Sequence, residues 1–334
     1  MRVCVIPGDG IGPEVIGAAT RVLLALAPDT TLTEAEAGWA TFQQHGTALP
    51  VATLAAARAA DAVLFGAVAS PSYQVPGYSS PIVRLRRELD LFANLRPTQG
   101  PGIDLMIVRE NTEGLYAGRE RLEDGGDTAI AERVITRRAS TRIVQTAFAL
   151  ARRRAGELGR PGRVTIVHKA NVLRVSDGLF REAALAVARD YADVAVEELL
   201  VDVAAMRVAQ APARFDVMVT TNLFGDILSD VACIHGGGLG LAASANLGDE
   251  RGLFEPVHGA APDIVGQGIA NPLAACECVA MLLEWRGRPA EAERLRAATA
   301  AVLRDGPRTP DLGGTATTAA VVEAVLSRIA DCRL

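Results

Sequence analysis

Short runs of β-branched residues alternate along this chain with longer stretches rich in alanine and leucine. The short runs predict strands over residues 3–6, 62–65, 105–108, 164–167, 195–201 and 217–221. The longer stretches predict helices over residues 14–26, 141–158, 177–191, 272–285, 290–304 and 317–330. Strands that alternate with helices indicate an α/β architecture in which helices cover a largely parallel sheet.

Composition indicates an ordinary soluble globular protein of one large domain or two. The chain has 334 residues, of which 49% are hydrophobic and 22% are charged. Its net charge of −5 gives no basic surface for nucleic acid. No apolar run approaches the length of a membrane span, and the first residues carry no signal pattern. We therefore expect no membrane or nucleic-acid partner and a cytoplasmic location.

The five cysteines follow neither a disulfide framework nor the spacing of a zinc site. They are Cys4, Cys233, Cys276, Cys278 and Cys332. This pattern favours buried free thiols in a reducing compartment.

Polar side chains follow four of the predicted strands at the points where those strands end. They lie in residues 109–116, in residues 168–171, at Asp202 and in residues 222–230. In open α/β sheets, ligands bind beyond the carboxyl ends of the strands. We therefore expect these groups to converge on one cleft, although Lys169 as a surface lysine and Tyr116 as a packed ring are the simpler alternatives.

Asp226 and Asp230 lie four residues apart among apolar neighbours, so a helix brings both carboxylates to one face. Their mutual repulsion disappears if they bind a divalent cation, and Mg²⁺ or Mn²⁺ prefers such hard oxygen ligands. Asp202 is a candidate third ligand. The alternatives are that the pair is simply solvated and that Asp202 caps a helix beginning at Val203.

Three arginines are candidates for binding an acidic substrate. Arg86, Arg96 and Arg109 would together form a clamp for planar carboxylates. The alternative for Arg86 is a local helical ion pair with Asp90. A metal beside three arginines is typical of a site for a small polyanionic acid.

The glycine-rich residues 8–12 follow the first strand but lack the spacing of a dinucleotide fingerprint. Pro13 begins a helix there instead, so the segment predicts only a tight turn. Residues 255–264, with Asn271 further on, are the better candidate for a cofactor loop.

These motifs resemble those of a known family, the metal-dependent β-decarboxylating dehydrogenases that act on isocitrate, 3-isopropylmalate, tartrate or homoisocitrate. The resemblance extends from residues 6–14 to residues 309–314 and is most specific in residues 222–230 and 254–271. It implies the family's own two-domain α/β fold, which is not a Rossmann fold, with the active site in the interdomain cleft. The implied cofactor-binding domain comprises residues 1–96 with 242–334. Residues 97–241 would form the dimerisation and metal-binding domain, with an intersubunit clasp near 118–140.

The resemblance also implies a role for individual residues. Tyr116, Lys169 and Asp202 would be catalytic, and Asp202, Asp226 and Asp230 would bind Mg²⁺ or Mn²⁺. Substrate would contact Ser79, Ser80, Val83, Arg86, Arg96, Arg109 and Asn171. NAD would contact Ile11, Glu255, His258, Gly259, Ala260, Ala261, Asp263, Ile264 and Asn271. Lys169 and Asp202 would come from one subunit of a homodimer, or of a dimer of dimers, and Asp226 with Asp230 from the other.

The segment before Arg86 decides the expected substrate. Residues 79–83 followed by Leu85, Arg86 and Arg87 resemble homoisocitrate dehydrogenases, whose substrate has an acid arm one methylene longer. Ser79 or Ser80 would then bind its distal carboxylate. Val83 keeps 3-isopropylmalate open, and isocitrate is a further alternative. The expected reaction is NAD-dependent conversion of homoisocitrate to 2-oxoadipate and CO₂, in lysine biosynthesis through 2-aminoadipate. The alternative of another class is a non-catalytic regulatory subunit of isocitrate dehydrogenase.

Overall fold

The computed structural model describes residues 1–73 and 75–331. In chain order the strands are β1 (Arg2–Gly8), β2 (Thr31–Glu34), β3 (Ala62–Ala67), β4 (Ala93–Gly100), β5 (Ile103–Glu110), β6 (Glu120–Glu123), β7 (Thr128–Ala131), β8 (Arg163–His168), β9 (Ala195–Leu200), β10 (Val217–Thr220), β11 (Ala243–Leu247) and β12 (Gly252–Pro256). The helices are α1 (Gly12–Leu26), α2 (Trp39–His45), α3 (Val51–Ala59), α4 (Pro81–Glu88), α5 (Arg137–Leu158), α6 (Ser176–Ala188), α7 (Val201–Gln210), α8 (Asn222–Cys233), α9 (Leu273–Trp285), α10 (Pro289–Asp305) and α11 (Thr318–Asp331).

Two compact units make up the chain, one of residues 1–89 with 237–334 (unit 1) and one of residues 90–236 (unit 2). In both units most strand pairs are parallel, because helices cross over between successive strands. The predicted α/β architecture with a largely parallel sheet is confirmed. The functional domain boundaries after residues 96 and 241 stay a prediction.

Unit 1 orders its strands β2-β1-β3-β12-β11, and only the last pair is antiparallel. Helix α9 is its most buried helix, with buried side chains on nearly every side. From Leu273 to Leu283 every residue except Glu277 is leucine, alanine, valine, cysteine or methionine, as expected for a helix enclosed by other elements.

Unit 2 orders its strands β4-β5-β10-β8-β9, and only β4 and β5 pair in antiparallel fashion. Helices α7 and α8 pack on this sheet through apolar side chains. The cluster contains Leu105, Ile107, Val167, Leu199, Ala204, Val208, Phe215, Met218, Leu228 and Ala232. This packing fixes α8 against the strands whose carboxyl ends carry the predicted site residues.

The charged segment within predicted clasp 118–140 forms a two-stranded antiparallel hairpin of β6 and β7. Its turn runs through Asp124–Gly126, where Gly125 and Gly126 have positive φ angles of 71° and 109°. All four residues of β6 are exposed. The expected role of this hairpin between subunits stays a prediction.

Four of the five cysteines, Cys4, Cys233, Cys276 and Cys278, are buried and free, as predicted. Burial raises the pKa of the Cys4 thiol to about 11, so the reactive thiolate is scarce there near neutral pH. Cys332 lies outside the described residues. None of the described helices is both long enough and apolar enough to cross a membrane.

Candidate active site

Helix α8 carries Asp226 and Asp230 one turn apart at the margin of its buried face. Its buried positions include Gly225, Leu228 and Ser229, which recur with helical spacing and hold the helix on the sheet. The side chain of Asp226 is 29% exposed and that of Asp230 is 61% exposed. Partial burial, with the nearby charge of Asp226, raises the pKa of the Asp230 carboxyl.

Two buried arginines of unit 2 converge on Asp226. Arg109, 1% exposed, donates through Nη1 to Asp226 Oδ1 over 2.5 Å. Arg96, 9% exposed, places Nη1 3.0 Å from the same oxygen and 3.8 Å from Asp230 Oδ1. This approach needs glycine at Gly225, since a Cβ there would lie 2.7 Å from Cβ and Cγ of Arg109. The structure therefore brings Arg96, Arg109 and both aspartates together.

Tyr116 joins the same cluster through its hydroxyl, which donates to Asp226 Oδ2 over 2.6 Å. It lies in the 3₁₀ turn Leu115–Ala117, close to the end of β5. Burial, and then the bond and charge of Asp226, raise the pKa of the Tyr116 hydroxyl. Within the chain, the charged groups that act on the pKa of Tyr116 are Asp226, which raises it, and Arg109, which lowers it.

Lys169 and Asp202 form a second cluster in unit 2. Lys169 follows β8, and its Nζ contacts Oδ1 of Asp202. The lysine holds the pKa of the Asp202 carboxyl below its usual range. Helix α7 begins at Val201 with Leu200 at its N-cap, so the alternative that Asp202 caps a helix beginning at Val203 is wrong. Asn171, two residues beyond Lys169, is exposed.

The two clusters of unit 2 do not form one metal site within a single chain. Among residues 1–73 and 75–331, no three His, Cys, Asp or Glu side chains are placed to hold a metal ion. The donor set of Asp226 and Asp230 nevertheless fits Mg²⁺ or Mn²⁺, because it offers hard oxygens from a rigid helix. Within the described part of the chain, no third carboxylate lies beside this pair to complete the ligand set.

Arg86 lies in unit 1, where its partner is Glu255. Its Nη2 donates to Glu255 Oε1 over 2.7 Å, and the two side chains are only 8% and 12% exposed. The predicted alternative of an ion pair with Asp90 is wrong, because Asp90 pairs with Arg142. Asn246 also donates to Glu255 Oε1, over 2.9 Å. The substrate arginine and the cofactor glutamate implied by the resemblance are thus in direct contact.

The predicted specificity segment leads into helix α4. Ser80 occupies the N-cap position, but its side chain makes no capping hydrogen bond, so the alternative that the serines only cap this helix is wrong. Ser79 is exposed and Val83 is half-buried. The ring of Tyr78 packs edge-on against Trp39 and Phe42, at centroid distances of 5.4 and 5.3 Å, and holds the start of the segment in place.

The predicted cofactor residues lie in two segments of unit 1 that touch. The amide of Ile11 donates to the carbonyl of Ala260 over 3.0 Å. Gly10 has a φ angle of 60°, and a Cβ there would lie 2.0 Å from the same carbonyl. In the tight turn predicted for residues 8–12, position 10 therefore has to be glycine, because the backbone of Ala260 leaves no room for a side chain.

The side chains of the predicted cofactor loop differ in their burial and in their hydrogen-bond partners. His258 Nε2 is buried and has no partner among the described residues, and burial lowers the pKa of the ring. Asp263 is exposed in the 3₁₀ turn Pro262–Ile264, which has no side-chain cap. Asn271 is already engaged, because it donates to Asp311 over 2.9 Å and accepts from the amide of Leu273 over 3.0 Å. Gly259 is exposed, while Ala261 and Ile264 are half-buried.

Sequence reasoning missed the residues that hold the two arginines of unit 2. Asn222 Oδ1 accepts from Arg109 Nε over 3.1 Å and from Nη2 over 2.6 Å. Asn94 and Ser229 each accept from Arg96 over 2.7 Å. The position of Asn94 two residues before Arg96 on one strand was an available signal, because alternate residues share a face. Asn222 and Ser229 belong to residues 222–230, which were expected to lie near residues 109–116, but no sequence pattern indicated that these two side chains bind the arginines directly.

Comparison with known proteins places the whole chain in one family. The model of the isocitrate/isopropylmalate dehydrogenase family matches residues 2–325. An isocitrate/homoisocitrate dehydrogenase of Thermus thermophilus is 51% identical over 336 residues, which cover 98% of each chain. A 3-isopropylmalate/3-methylmalate dehydrogenase of Methanocaldococcus jannaschii is 47% identical over 336 residues, again 98% of each chain.

A solved structure agrees with this assignment. The crystal structure of isocitrate dehydrogenase from Methylococcus capsulatus superposes with a TM-score of 0.93 at 43% sequence identity, covering 98% of this chain and 99% of that one. The predicted fold class is thereby confirmed. With its paired aspartates, buried arginines and tyrosine in the family's fold, the chain belongs to the isocitrate/isopropylmalate dehydrogenase family of oxidative decarboxylases.

Proposed function

We propose that this enzyme oxidises and decarboxylates homoisocitrate to 2-oxoadipate and CO₂, with NAD as hydride acceptor and Mg²⁺ or Mn²⁺ as the required cation. One observation carries the proposal: Arg96, Arg109 and Tyr116 all contact Asp226. Two guanidinium groups that can bind carboxylates, a hydroxyl that can donate a proton and a carboxylate that can bind a metal ion thus lie together. An acid with adjacent hydroxyl and carboxylate groups matches that combination.

Each residue of the proposed mechanism acts on charge or on a proton. Arg96 and Arg109 bind carboxylates of the acid with rigid donor forks. Lys169 would accept the proton of the 2-hydroxyl, and bound NAD would supply the acceptor for the hydride of C2. The keto acid formed would lose CO₂. Tyr116, still protonated because its pKa is raised, donates a proton to the carbon that CO₂ leaves. Asp226 and Asp230 would hold the divalent cation, which would supply Lewis-acid stabilisation of the negative charge that develops.

We also infer that the working site is shared by two copies of the chain. Lys169 and Asp202 contact each other within unit 2, whereas Tyr116 contacts Asp226. The same chain provides no third carboxylate beside Asp226 and Asp230 in its described part. A second copy that brings Lys169 and Asp202 to the first would supply both the base and the missing ligand.

The choice of homoisocitrate rests on Ser80. Its hydroxyl makes no capping bond to α4 and is available to the distal carboxylate of a substrate. The names of relatives such as the isocitrate/homoisocitrate dehydrogenase at 51% identity support this substrate. One methylene is worth only about 1–3 kcal/mol of discrimination, so appreciable isocitrate turnover is expected as well.

Val83 favours 3-isopropylmalate as the second candidate. It lies one turn before Arg87 on α4, is half-buried and offers an apolar surface to a branched substituent. The relative that bears the name 3-isopropylmalate/3-methylmalate dehydrogenase supports this candidate. A non-catalytic regulatory subunit is less well supported, because Tyr116, Lys169 and Asp202 are all present.

The test is a panel of kcat/KM values for homoisocitrate, isocitrate, 3-isopropylmalate, tartrate and malate with the purified chain, Mn²⁺ and NAD. We expect homoisocitrate to rank first. Ser80→Ala should raise KM for homoisocitrate more than KM for 3-isopropylmalate, by about tenfold, the cost of one hydrogen bond to a charged group. Ser327→Ala, an exposed serine on α11, is the matched control.

A first rank for 3-isopropylmalate would replace the substrate but keep the chemistry. If the purified chain turned over none of these acids, while it increased the activity of a catalytic partner, the regulatory-subunit interpretation would take its place.

A further inference from the structure

Arg133 and its neighbour Val134 connect three segments of unit 2 that carry residues of the proposed reaction. The proposed reaction itself gives Arg133 no role. Arg133 lies just beyond strand β7, and its side chain is only 13% exposed. Its Nη1 contacts Asp177 Oδ1 and lies 3.2 Å from Ser176 Oγ. A buried guanidinium of this kind needs hydrogen-bond partners for nearly all of its donors. Arg133 finds them in helix α6 and at the N-cap of helix α8.

The first segment is the one that carries Lys169. Asp177 has a fully buried side chain in the first turn of helix α6, where the helix dipole favours its negative charge. Its second oxygen, Oδ2, accepts the backbone amide of Lys169 over 2.6 Å. One carboxylate thus binds the guanidinium with one oxygen and fixes the backbone of Lys169 with the other.

The second segment is the start of helix α8, which carries Asp226 and Asp230. Arg133 Nη2 donates to Thr221 Oγ1 over 2.7 Å, and the guanidinium lies over the ring of Phe224 at 4.9 Å. Thr221 occupies the N-cap position of α8, yet its hydroxyl makes no capping bond to the helix. The hydroxyl is used to bind Arg133 instead.

The third segment is the turn that carries Tyr116. Val134, next to Arg133, pairs with Gly114 through two backbone hydrogen bonds, of 2.8 and 3.3 Å. Gly114 is the N-cap of the 3₁₀ turn that contains Tyr116. The side chain of Arg133 thus contacts the segments of the proposed base and of the proposed cation-binding helix, and its neighbour Val134 pairs with the turn of the proposed acid.

We propose that Arg133, acting through Asp177 and Thr221, is a positioning residue that holds the Lys169 segment in register with helix α8. The inference rests on the proposed roles of Lys169, Asp226 and Tyr116. If the site is shared between two copies, Lys169 of one chain serves the other copy's site, so Arg133 couples the geometry of two sites. An ordinary buried ion pair would support folding without favouring these segments over the rest of unit 2.

The test replaces Arg133 with methionine, which keeps the length of the side chain but removes its fork of donors. We expect kcat to fall by about 10²-fold, as small misplacements of reacting groups do. KM for the acid should change by less than about threefold, because Arg96 and Arg109 are untouched. Arg133→Lys offers one point charge for two acceptors, so it should recover only part of kcat.

Amide hydrogen exchange of the ligand-free protein gives a second readout that needs no turnover. In Arg133→Met, exchange should accelerate about tenfold or more in residues 168–178 and 221–226, as expected for local opening, and not elsewhere in unit 2. The control is Arg152→Met, because Arg152 also pairs with a carboxylate, Asp193, and lies 4.3 Å from an aromatic ring, but on the exposed surface. Arg152→Met should leave both kcat and local exchange unchanged.

The inference is overturned if Arg133→Met keeps kcat within about threefold of the wild type. It is also overturned if exchange accelerates evenly through unit 2, because an even increase reports a lower stability of the whole unit and not the local opening of these two segments. If Arg133→Met does not fold, Arg133→Lys decides by the same two measurements. A wild-type protein that turns over no acid on the panel refutes the proposed function, and the exchange comparison still decides this inference.

Discussion

The ammonium group of Lys169 contacts the carboxylate of Asp202, while the hydroxyl of Tyr116 donates to Asp226. Each pair contains a group for which we propose proton transfer and a carboxylate for which we propose cation binding. Neither pair is a complete site, because the base and the acid of a single decarboxylation would stand in different clusters. The arrangement leads to a prediction about mixed dimers.

We predict that two inactive variants restore each other's activity. Tyr116→Phe and Lys169→Met should each lower kcat by about 10²–10⁴-fold, the usual contribution of a proton-transfer group. In a mixed dimer with shared sites, one site carries both changes and the other carries neither. Co-expression with separable tags, purification of the heterodimer and a turnover assay should therefore recover up to half of the wild-type activity. Recovery that stays at the level of the parents would place Tyr116 and Lys169 in the same chain's site.

Removal of one carboxylate of helix α8 should weaken cation binding without unfolding the protein. Asp226→Asn keeps an oxygen acceptor for Arg109 but loses the charge, and even changes around metal ligands cost about 10–100-fold in affinity. We expect at least that loss in a calorimetric titration with Mn²⁺, with an unchanged circular dichroism spectrum. Asp193→Asn, on the surface of unit 2, is the control. Full turnover after exhaustive chelation, with no metal left by elemental analysis, would contradict the requirement for a cation.

The preference for NAD is predicted to depend on Asp263. Its exposed carboxylate can accept hydrogen bonds from the ribose hydroxyls, and its charge would repel a 2′-phosphate. Asp263→Asn should shift the kcat/KM ratio towards NADP by about tenfold or more, because like charges at an interface cost several kcal/mol. Asp249→Asn, at another exposed turn of unit 1, should leave the ratio unchanged. A wild-type ratio that already favours NADP would show the cofactor assignment to be wrong.

Glu113 gives the pH dependence of stability a defined sign. Burial raises the pKa of its carboxyl above the usual 4.5, although the amide and hydroxyl of Thr136 donate to it. The folded protein therefore binds more protons at this site than the unfolded chain does. The associated stability is complete below pH 4.5 and is lost as pH rises through the folded pKa.

Urea unfolding of the wild type and of Glu113→Gln, at a series of pH values from below 4.5 upwards, measures this pH dependence of stability. The free energy of unfolding of the wild type, relative to that of the variant, should decrease as pH rises. A difference that increases with pH would mean that hydrogen bonds from Thr136 outweigh burial.

Local patterns predicted strands β1, β3, β5, β8, β9 and β10 and most of the long helices, but not β2, β4, β11 or β12. They also predicted the pair Asp226 and Asp230, because helical spacing alone brings those two carboxylates together. The same local logic was wrong for Arg86, which has Asp90 four residues further along the chain but whose partner is Glu255, 169 residues away. Burial decides that case, since Arg86 is enclosed and Asp90 is not. Arg133 and Asp177 were missed for a related reason: their contact joins a hairpin to a helix, and no periodicity reports it.

If Arg86 binds the acid and Glu255 contacts the dinucleotide, as the resemblance implies, their ion pair makes the two binding equilibria depend on each other. A substrate carboxylate that binds Arg86 leaves Glu255 with a less compensated charge, and this changes what the dinucleotide meets. A dinucleotide that draws Glu255 away changes the affinity of Arg86 for the acid in turn. Coupling free energies are reciprocal, so both dissociation constants shift by the same factor. The affinity for the acid and the affinity for the dinucleotide would then be linked through one 2.7 Å contact.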